Sequence, residues 1–373
     1  MNTRARHEGA GERKPTLLFV DHDVPQYDLY AGSRTNFMYL ELLAAMGLDV
    51  KFIPANFQRV EPYSTELNRL GIETLDGEWF RHNWEQWLKD NGEAIDFVFI
   101  HKPDPAARFL PVVRDYTQAA VIYQCHDLHH LRLRRKAEVE NDQEARDEAE
   151  RYEKLEHYIF ENSDILLTFS NVEENILKDK YPDKQVFTVP LFFYSERPDI
   201  DRDFGKRDGL LFIGACSHTP NKDAIEWFAK EVFPLVRSEI PDAVFRVAGA
   251  HAPPEIQALD SENIKILGRV LDDELQDLYA RSKLVVVPLR FGAGVKGKVI
   301  EAFYQGMPIV STTIGLEGIA ETDLLATPRD SAEAFAEEIV ALYRDEERLA
   351  ELSRMGSSFV EDRFTTQAAS TLM

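Results

Sequence analysis

Cysteine is nearly absent from this chain. Cys125 and Cys216 are the only two among 373 residues, too few and too separated in sequence for a disulfide framework or a cysteine-built zinc site; both are expected as core thiols. Also missing is any apolar run approaching the roughly 18 residues that a bilayer crossing requires. The stretch Met1 to Lys14 is polar and basic with no apolar segment. It reads as a disordered leader rather than a signal peptide, and a cytoplasmic location follows. Positive charge is scarce too: 43 Lys plus Arg stand against 65 Asp plus Glu, a formal net charge of -22. Such a field repels nucleic acid and anionic membrane at long range. Nucleic acid is therefore excluded as a partner, membrane contact is peripheral at most, and any phosphate must be held by a local cluster of donors.

What is present is a globular composition, 44% hydrophobic with 11% aromatic residues, in a length that fits two domains of about 150 to 200 residues. Short apolar runs alternate with helical patterns at 17–20, 50–54, 97–100, 120–123, 165–169 and 186–189, the rhythm of parallel strands covered by helices. A charged stretch from Arg132 to Glu161 suits a mostly exposed helix. The apolar signal then stops in the polar segment from Ser195 to Gly209, where the domain boundary is placed. A second series follows at 210–213, 244–248, 264–267, 284–288 and 308–311, with helices starting near Pro220, Asp272, Gly297 and Ser331. The expected fold class is α/β: two Rossmann-like, doubly wound parallel-sheet domains facing across a cleft, with ligand sites at the carboxyl ends of the strands. The boundaries read as a leader over 1–14, an N-terminal domain over 15–200, a C-terminal domain over 201–350, and a final helix over 351–373 that docks on either domain.

The densest signal is the run Gly292-Ala293-Gly294-Val295-Lys296-Gly297-Lys298, between an apolar strand and a helix. Its glycines let backbone amides approach an anion, and the helix that follows aims its positive end at the same place. Lys296 and Lys298 oppose that helix dipole, a conflict that a bound diphosphate removes. Glu301, one turn in, projects back toward the helix start, where a carboxylate accepts hydrogen bonds from ribose hydroxyls. The same glycines match the dinucleotide fingerprint G-x-G-x-x-G, which makes a dinucleotide-dependent oxidoreductase the rival. That rival needs an acidic residue ending the next strand, which instead ends Ser311-Thr312-Thr313.

Residues 210–320 resemble the retaining nucleotide-sugar glycosyltransferases often called group 1 or family 4, of GT-B fold. The stretches that carry the likeness are Phe212 to Ala224, Pro241 to Gly249, Ile266 to Val270 and Val287 to Gly318; over the first domain it is weaker. The resemblance implies a nucleotide-sugar donor, with Glu301 as the second glutamate of a paired-glutamate motif and contacting ribose. Lys296 or Lys298 would neutralise the diphosphate, Gly214 would mark a phosphate-facing loop, and the turn through Gly268, Arg269 and Val270 would meet the base. Phe291 and Ala293 fall in the same donor block. One departure matters: eight residues before Glu301, where many relatives carry the first glutamate, stands Ala293.

On the acceptor side, the resemblance places a glycine loop before the first helix, at Gly32, Ser33 and Arg34, and a His-Asp-Leu after the fourth strand, at His126 and Asp127. His126, with Lys296 and Glu301, is the expected catalytic set, because an imidazole there hydrogen-bonds the sugar or steadies charge near the anomeric carbon. His129 is a further sugar or acceptor candidate, and His130, Ser170 and Glu173 are weaker ones, Ser170 and Glu173 reading as a helix cap. Asp21-His22-Asp23 superficially matches a metal-binding D-x-D, but that pattern belongs to a different, single-domain fold. The expectation is thus a metal-independent glycosyltransferase without cofactor, acting on a saccharide or lipid-linked acceptor. Alternatives are a non-catalytic nucleotide-sugar-binding subunit and a nucleotide-sugar epimerase.

Overall fold

The computed structural model describes residues 13–319 and 321–372; the leader expected over 1–14 lies, through residue 12, outside the described residues. Twelve strands among them form two parallel sheets. The first contains β1 (Thr16–Asp21), β2 (Asp49–Pro54), β3 (Glu73–Thr74), β4 (Phe97–His101), β5 (Ala120–Cys125), β6 (Ile165–Thr168) and β7 (Gln185–Thr188), in the order β3-β2-β1-β4-β5-β6-β7. The second contains β8 (Leu210–Ile213), β9 (Phe245–Ala248), β10 (Ile264–Gly268), β11 (Leu284–Val287) and β12 (Ile309–Ser311), in the order β10-β9-β8-β11-β12. Both orders carry the reversal of a doubly wound α/β sheet, so the chain has two Rossmann-like sheets.

The reason is visible in burial. All six residues of β1 and all four of β11 are buried, as expected where helices cover both faces of a parallel sheet and leave no polar side. Register is regular: Leu17 pairs with Val50 of β2 and Phe97 of β4, and the alignment runs residue for residue to Val20, opposite Ile53 and Ile100, while β11 aligns with β12 from Val285 to Val287.

Contacts cluster into two units. Among the described residues, one runs up to residue 24 and over 39–122, and the other covers 25–38 and the chain from 123 onward. In the first, Asp21 at the end of β1 is buried. Its carboxylate accepts from the His22 amide at 2.7 Å and lies 3.2 Å from His101 Nδ1 and 3.4 Å from Lys102 Nζ. Burial alone would raise its pKa, but Lys102 and His101 hold it well below the usual carboxylate range.

In the second unit the charged stretch from Arg132 onward is not one helix. It breaks into His129–Glu140 and Gln143–Glu161. Asn141 adopts the left-handed conformation that ends the first, and the Asp142 side chain caps the second by accepting from the Ala145 amide at 3.1 Å. The helix Gly297–Tyr304 buries Val299, Ile300, Ala302 and Phe303. Phe303 meets Phe359 of the helix Glu346–Arg363 edge-on, ring centres 5.9 Å apart, and a Cβ on Gly356 would already touch the Phe303 ring at 3.0 Å. That packing, worth about 1.5 to 3 kcal/mol for a buried phenylalanine, sets the axis of the helix whose N-terminus enters the site.

Candidate active site

The site lies wholly in the second unit, in a cavity of about 600 Å³. Its floor is built by the two parallel strands whose ends flank the reversal in the second sheet, β8 and β11. After β8 the chain turns at Gly214, where φ is 150° and a Cβ would stand 2.8 Å from Lys298 Nζ. After β11 it enters the loop 288–296, with Gly292 at φ 152° and Gly294 at φ 69°, conformations that glycine adopts without strain. At Gly294 a Cβ would come within 3.0 Å of the His126 carbonyl and of Asp127 Cβ, so the loop and the His-Asp turn are in close contact.

Lys296 caps the helix Gly297–Tyr304 and Lys298 is its second residue. By helix geometry the amides of Gly297 and Lys298 have no carbonyl inside the helix to bond, and Val299 N already bonds Lys296 O at 2.9 Å. Lys296 Nζ donates to the carbonyls of Ala293, at 3.1 Å, and Gly294. Lys298 Nζ donates to Asn221 Oδ1 at 2.6 Å and stands 4.1 Å from the Phe212 ring centre. Among the described residues neither ammonium hydrogen-bonds a carboxylate; Lys296 has one at the outer limit of an ion pair, Glu317 at 3.9 Å. Burial pushes Lys296 down to about 8, against the pull of Glu317, Glu173 and Asp127, and pushes Lys298 down to about 7.

Glu301 accepts from Arg34 Nη1 at 2.7 Å, and the same guanidinium sits 5.2 Å from the Phe192 ring centre. Arg34 is raised above its ordinary value: burial works against its charge, and Glu301 overcomes it. His126 lines the cavity against Gly32, whose Cβ would lie 3.3 Å from the imidazole, and meets Phe169 edge-on at 5.3 Å. Asp127 pairs with Arg132 and lies 3.2 Å from His129 Nδ1; burial would raise it, but these cations hold it below the carboxylate range.

Of the residues singled out in the sequence, Gly32, Arg34, His126, Asp127, Gly214, Gly292, Ala293, Val295, Lys296, Gly297, Lys298 and Glu301 all line this one cavity. Ser33, Phe291 and Gly294 are buried behind it. Arg269 and Val270 lie outside the lining, Arg269 pairing with Asp28 at 2.6 Å; Asp28 itself, Asp272 and Leu275 do line it. His129 packs against Tyr152, and His130 pairs with the buried Glu156. Ser170 accepts from the Glu173 amide at 3.4 Å as a helix cap, and Glu173 accepts from the Leu128 amide at 3.0 Å. Among the lining residues that the sequence reading had not placed in the site are Arg132, Ser217, His218 and Asn221. Burial, then Arg132, lowers His218 to about 4, so it is neutral at pH 7. Among the described residues no group of three or more His, Cys, Asp or Glu could hold a metal ion, and no helix is long and apolar enough to cross a membrane.

The family model described as Glycosyl transferases group 1 matches residues 207–345, the segment that holds the second sheet and the glycine loop. A curated relative, an uncharacterized 44.6 kDa protein in the cps region of Klebsiella pneumoniae, is 27% identical over 167 residues, 42% of this chain and 43% of the relative's own length. Among solved structures, sucrose-phosphate synthase from Thermosynechococcus elongatus superposes with a TM-score of 0.73 at 17% identity, covering 97% of each chain. Anabaena HepE in complex with UDP-glucose does so with 0.67 at 12% identity, over 96% of this chain and 97% of that one. A glycosyltransferase from Rickettsia africae gives 0.66 at 14% identity over 96% of each. Residues 207–345 thus match the group 1 glycosyltransferase family, and the fold as a whole is similar to that of solved GT-B glycosyltransferases.

Proposed function

We propose that the protein transfers a sugar from a nucleoside-diphosphate sugar to a saccharide or lipid-linked acceptor, with retention at the anomeric carbon and without a metal ion. One observation carries this reading. In a chain of net charge -22, two largely covered lysines whose hydrogen-bond partners are all neutral converge on the start of one helix inside a cavity. Holding two ammonium groups there with no directly hydrogen-bonded carboxylate is costly, and a diphosphate is the dianion that reverses the cost. HepE has been crystallised with UDP and with UDP-glucose, which favours a uridine donor here.

Cleavage of the sugar–phosphate bond loads negative charge onto the leaving diphosphate. Lowering that barrier by about 4 kcal/mol is worth about a thousandfold in rate, and Lys296, Lys298 and the amides of Gly297 and Lys298 are arranged to supply it electrostatically. Glu301 offers ribose the oxygen that Arg34 does not occupy. His126, beside Gly32, faces the sugar, and neutral His218 serves as a hydrogen-bonding wall. A non-catalytic, donor-binding subunit is the second reading, supported by Ala293 in the lining where a carboxylate would otherwise contact the sugar.

Calorimetric titration with UDP, GDP, dTDP and ADP, with and without EDTA, tests base and metal together. Saturable binding of one diphosphate, unchanged by EDTA and lost in Lys298→Ala, is expected. Absence of binding by all four would sink the proposal, and binding with no turnover over a panel of acceptors would leave the subunit reading.

A further inference from the structure

Lys296 is not short of anions nearby. Glu317 Oε2 lies 3.9 Å from its ammonium, at the outer limit of an ion pair, and the ammonium bonds the Ala293 and Gly294 carbonyls instead. The carboxylate is already occupied. Arg135, from the helix His129–Glu140, grips it with both arms, Nη1 to Oε2 and Nη2 to Oε1, each at 2.6 Å. The same Nη1 donates to the Gly292 carbonyl at 2.7 Å, so one guanidinium ties the glycine loop to the segment bearing Glu317. Both side chains are mostly covered, 24% and 13% exposed, and at Gly318 a Cβ would run into Ser170 and Val295, which pins that segment against the loop. A planar guanidinium matches both oxygens of a carboxylate, whereas an ammonium is a point charge that meets one.

We propose that Arg135 and Glu317 are positioning residues of the donor loop: Arg135 withholds the Glu317 carboxylate from Lys296, and so keeps the ammonium available to an incoming diphosphate. The inference rests on reading the cavity as a diphosphate site. Without Arg135, Glu317 closes on Lys296 and the chain supplies the anion that a donor would have supplied. Without Glu317, Arg135 remains as an uncompensated cation beside Lys296 and drives its proton off.

Lys296 is faced by Glu317 and Arg135, by Glu173 of the helix Asn171–Lys180, by Asp127 after β5, and by His218 and Lys298. Its proton is therefore a sensor of the pair. In ligand-free protein carrying isotope-labelled lysine, the Lys296 Cε shift, assigned with Lys296→Arg, is expected to titrate near 8. Arg135→Gln should raise that midpoint and Glu317→Gln lower it, each by about one pH unit. In a second arm, UDP binding at neutral pH should weaken about tenfold in Arg135→Gln, the size of one charge-assisted contact, and recover in the double variant Arg135→Gln/Glu317→Gln. Recovery separates withholding from a merely structural role, which a second lesion would worsen. Coincident midpoints in wild type and both single variants, or a double variant as weak as Arg135→Gln, would overturn the inference. Failure of wild type to bind UDP, GDP, dTDP or ADP would instead overturn the proposed function, and the titration would still decide whether Arg135 and Glu317 control Lys296.

Discussion

Two charged clusters stand at the carboxyl ends of parallel strands, one in each unit, and they are solved in opposite ways. In the first unit Asp21 is buried, but it meets His101, Lys102 and the His22 amide. Every charge has a counter-charge, and the result holds β1 to β4. In the second unit Lys296 and Lys298 end on carbonyls and an amide, and the carboxylate of Glu317 beside Lys296 is held by Arg135. A neutralised cluster is a structural device, whereas an unneutralised one stores electrostatic energy that only a ligand releases. Charge density at a strand end says little about function; whether the charges cancel says much more.

That contrast can be broken in four ways. Lys298→Ala should lower kcat/KM with a nucleoside-diphosphate sugar by about a hundredfold to a thousandfold, as loss of one preorganised charge donor does; a steady-state assay showing less than tenfold would mean the ammonium does not meet the leaving group. Asp21→Ala should cost about 3 kcal/mol in urea unfolding, because the buried His101 and the part-exposed Lys102 lose their anionic partner, while UDP affinity in calorimetry stays put. A large affinity loss would make the first cluster a binding site after all.

A smaller effect sharpens the second half of the comparison. Lys298 is depressed from 10.5 to about 7 in the folded chain, so the unfolded chain binds the extra proton between those values and wild-type stability rises with pH across that window. Lys298→Met should therefore be more stable than wild type near pH 7, by on the order of 1 kcal/mol, with the gain shrinking toward alkaline pH in denaturation curves. Diphosphate affinity of the wild type should move the other way, falling as Lys296 and Lys298 lose their protons. Smallest of all, Arg269→Ala removes an exposed pair with Asp28 and should change stability by less than about 1 kcal/mol; a strong loss of UDP affinity would place the turn against the base.

Much of the fold was legible because buried parallel strands leave an unmistakable pattern. Ten of the apolar runs became strands within a residue or two of their expected ends, and β8 matched residue for residue. What escaped was β3, whose two polar residues, Glu73 and Thr74, carry no apolar run. The break at Asn141 also escaped, since a left-handed asparagine in a charged stretch looks like any surface residue. In the site, the glycine loop was readable because its donors are contiguous. Arg132, Arg135, His218 and Asn221 were not, since each sits in an ordinary helical or loop pattern and acquires its partner only through folding.

The sequence by itself determined where the sheets run and which loop gathers glycines, lysines and a glutamate, because strand burial and helix-start chemistry act over a few residues. Only the tertiary structure decided that Arg34 meets Glu301 across 267 positions, that Gly32 and His126 share a wall, and that Arg135 takes the carboxylate which Lys296 would otherwise hold. Charge pairing depends on distances of a few ångströms between residues far apart in the chain, and no local pattern encodes which cation reaches which anion first.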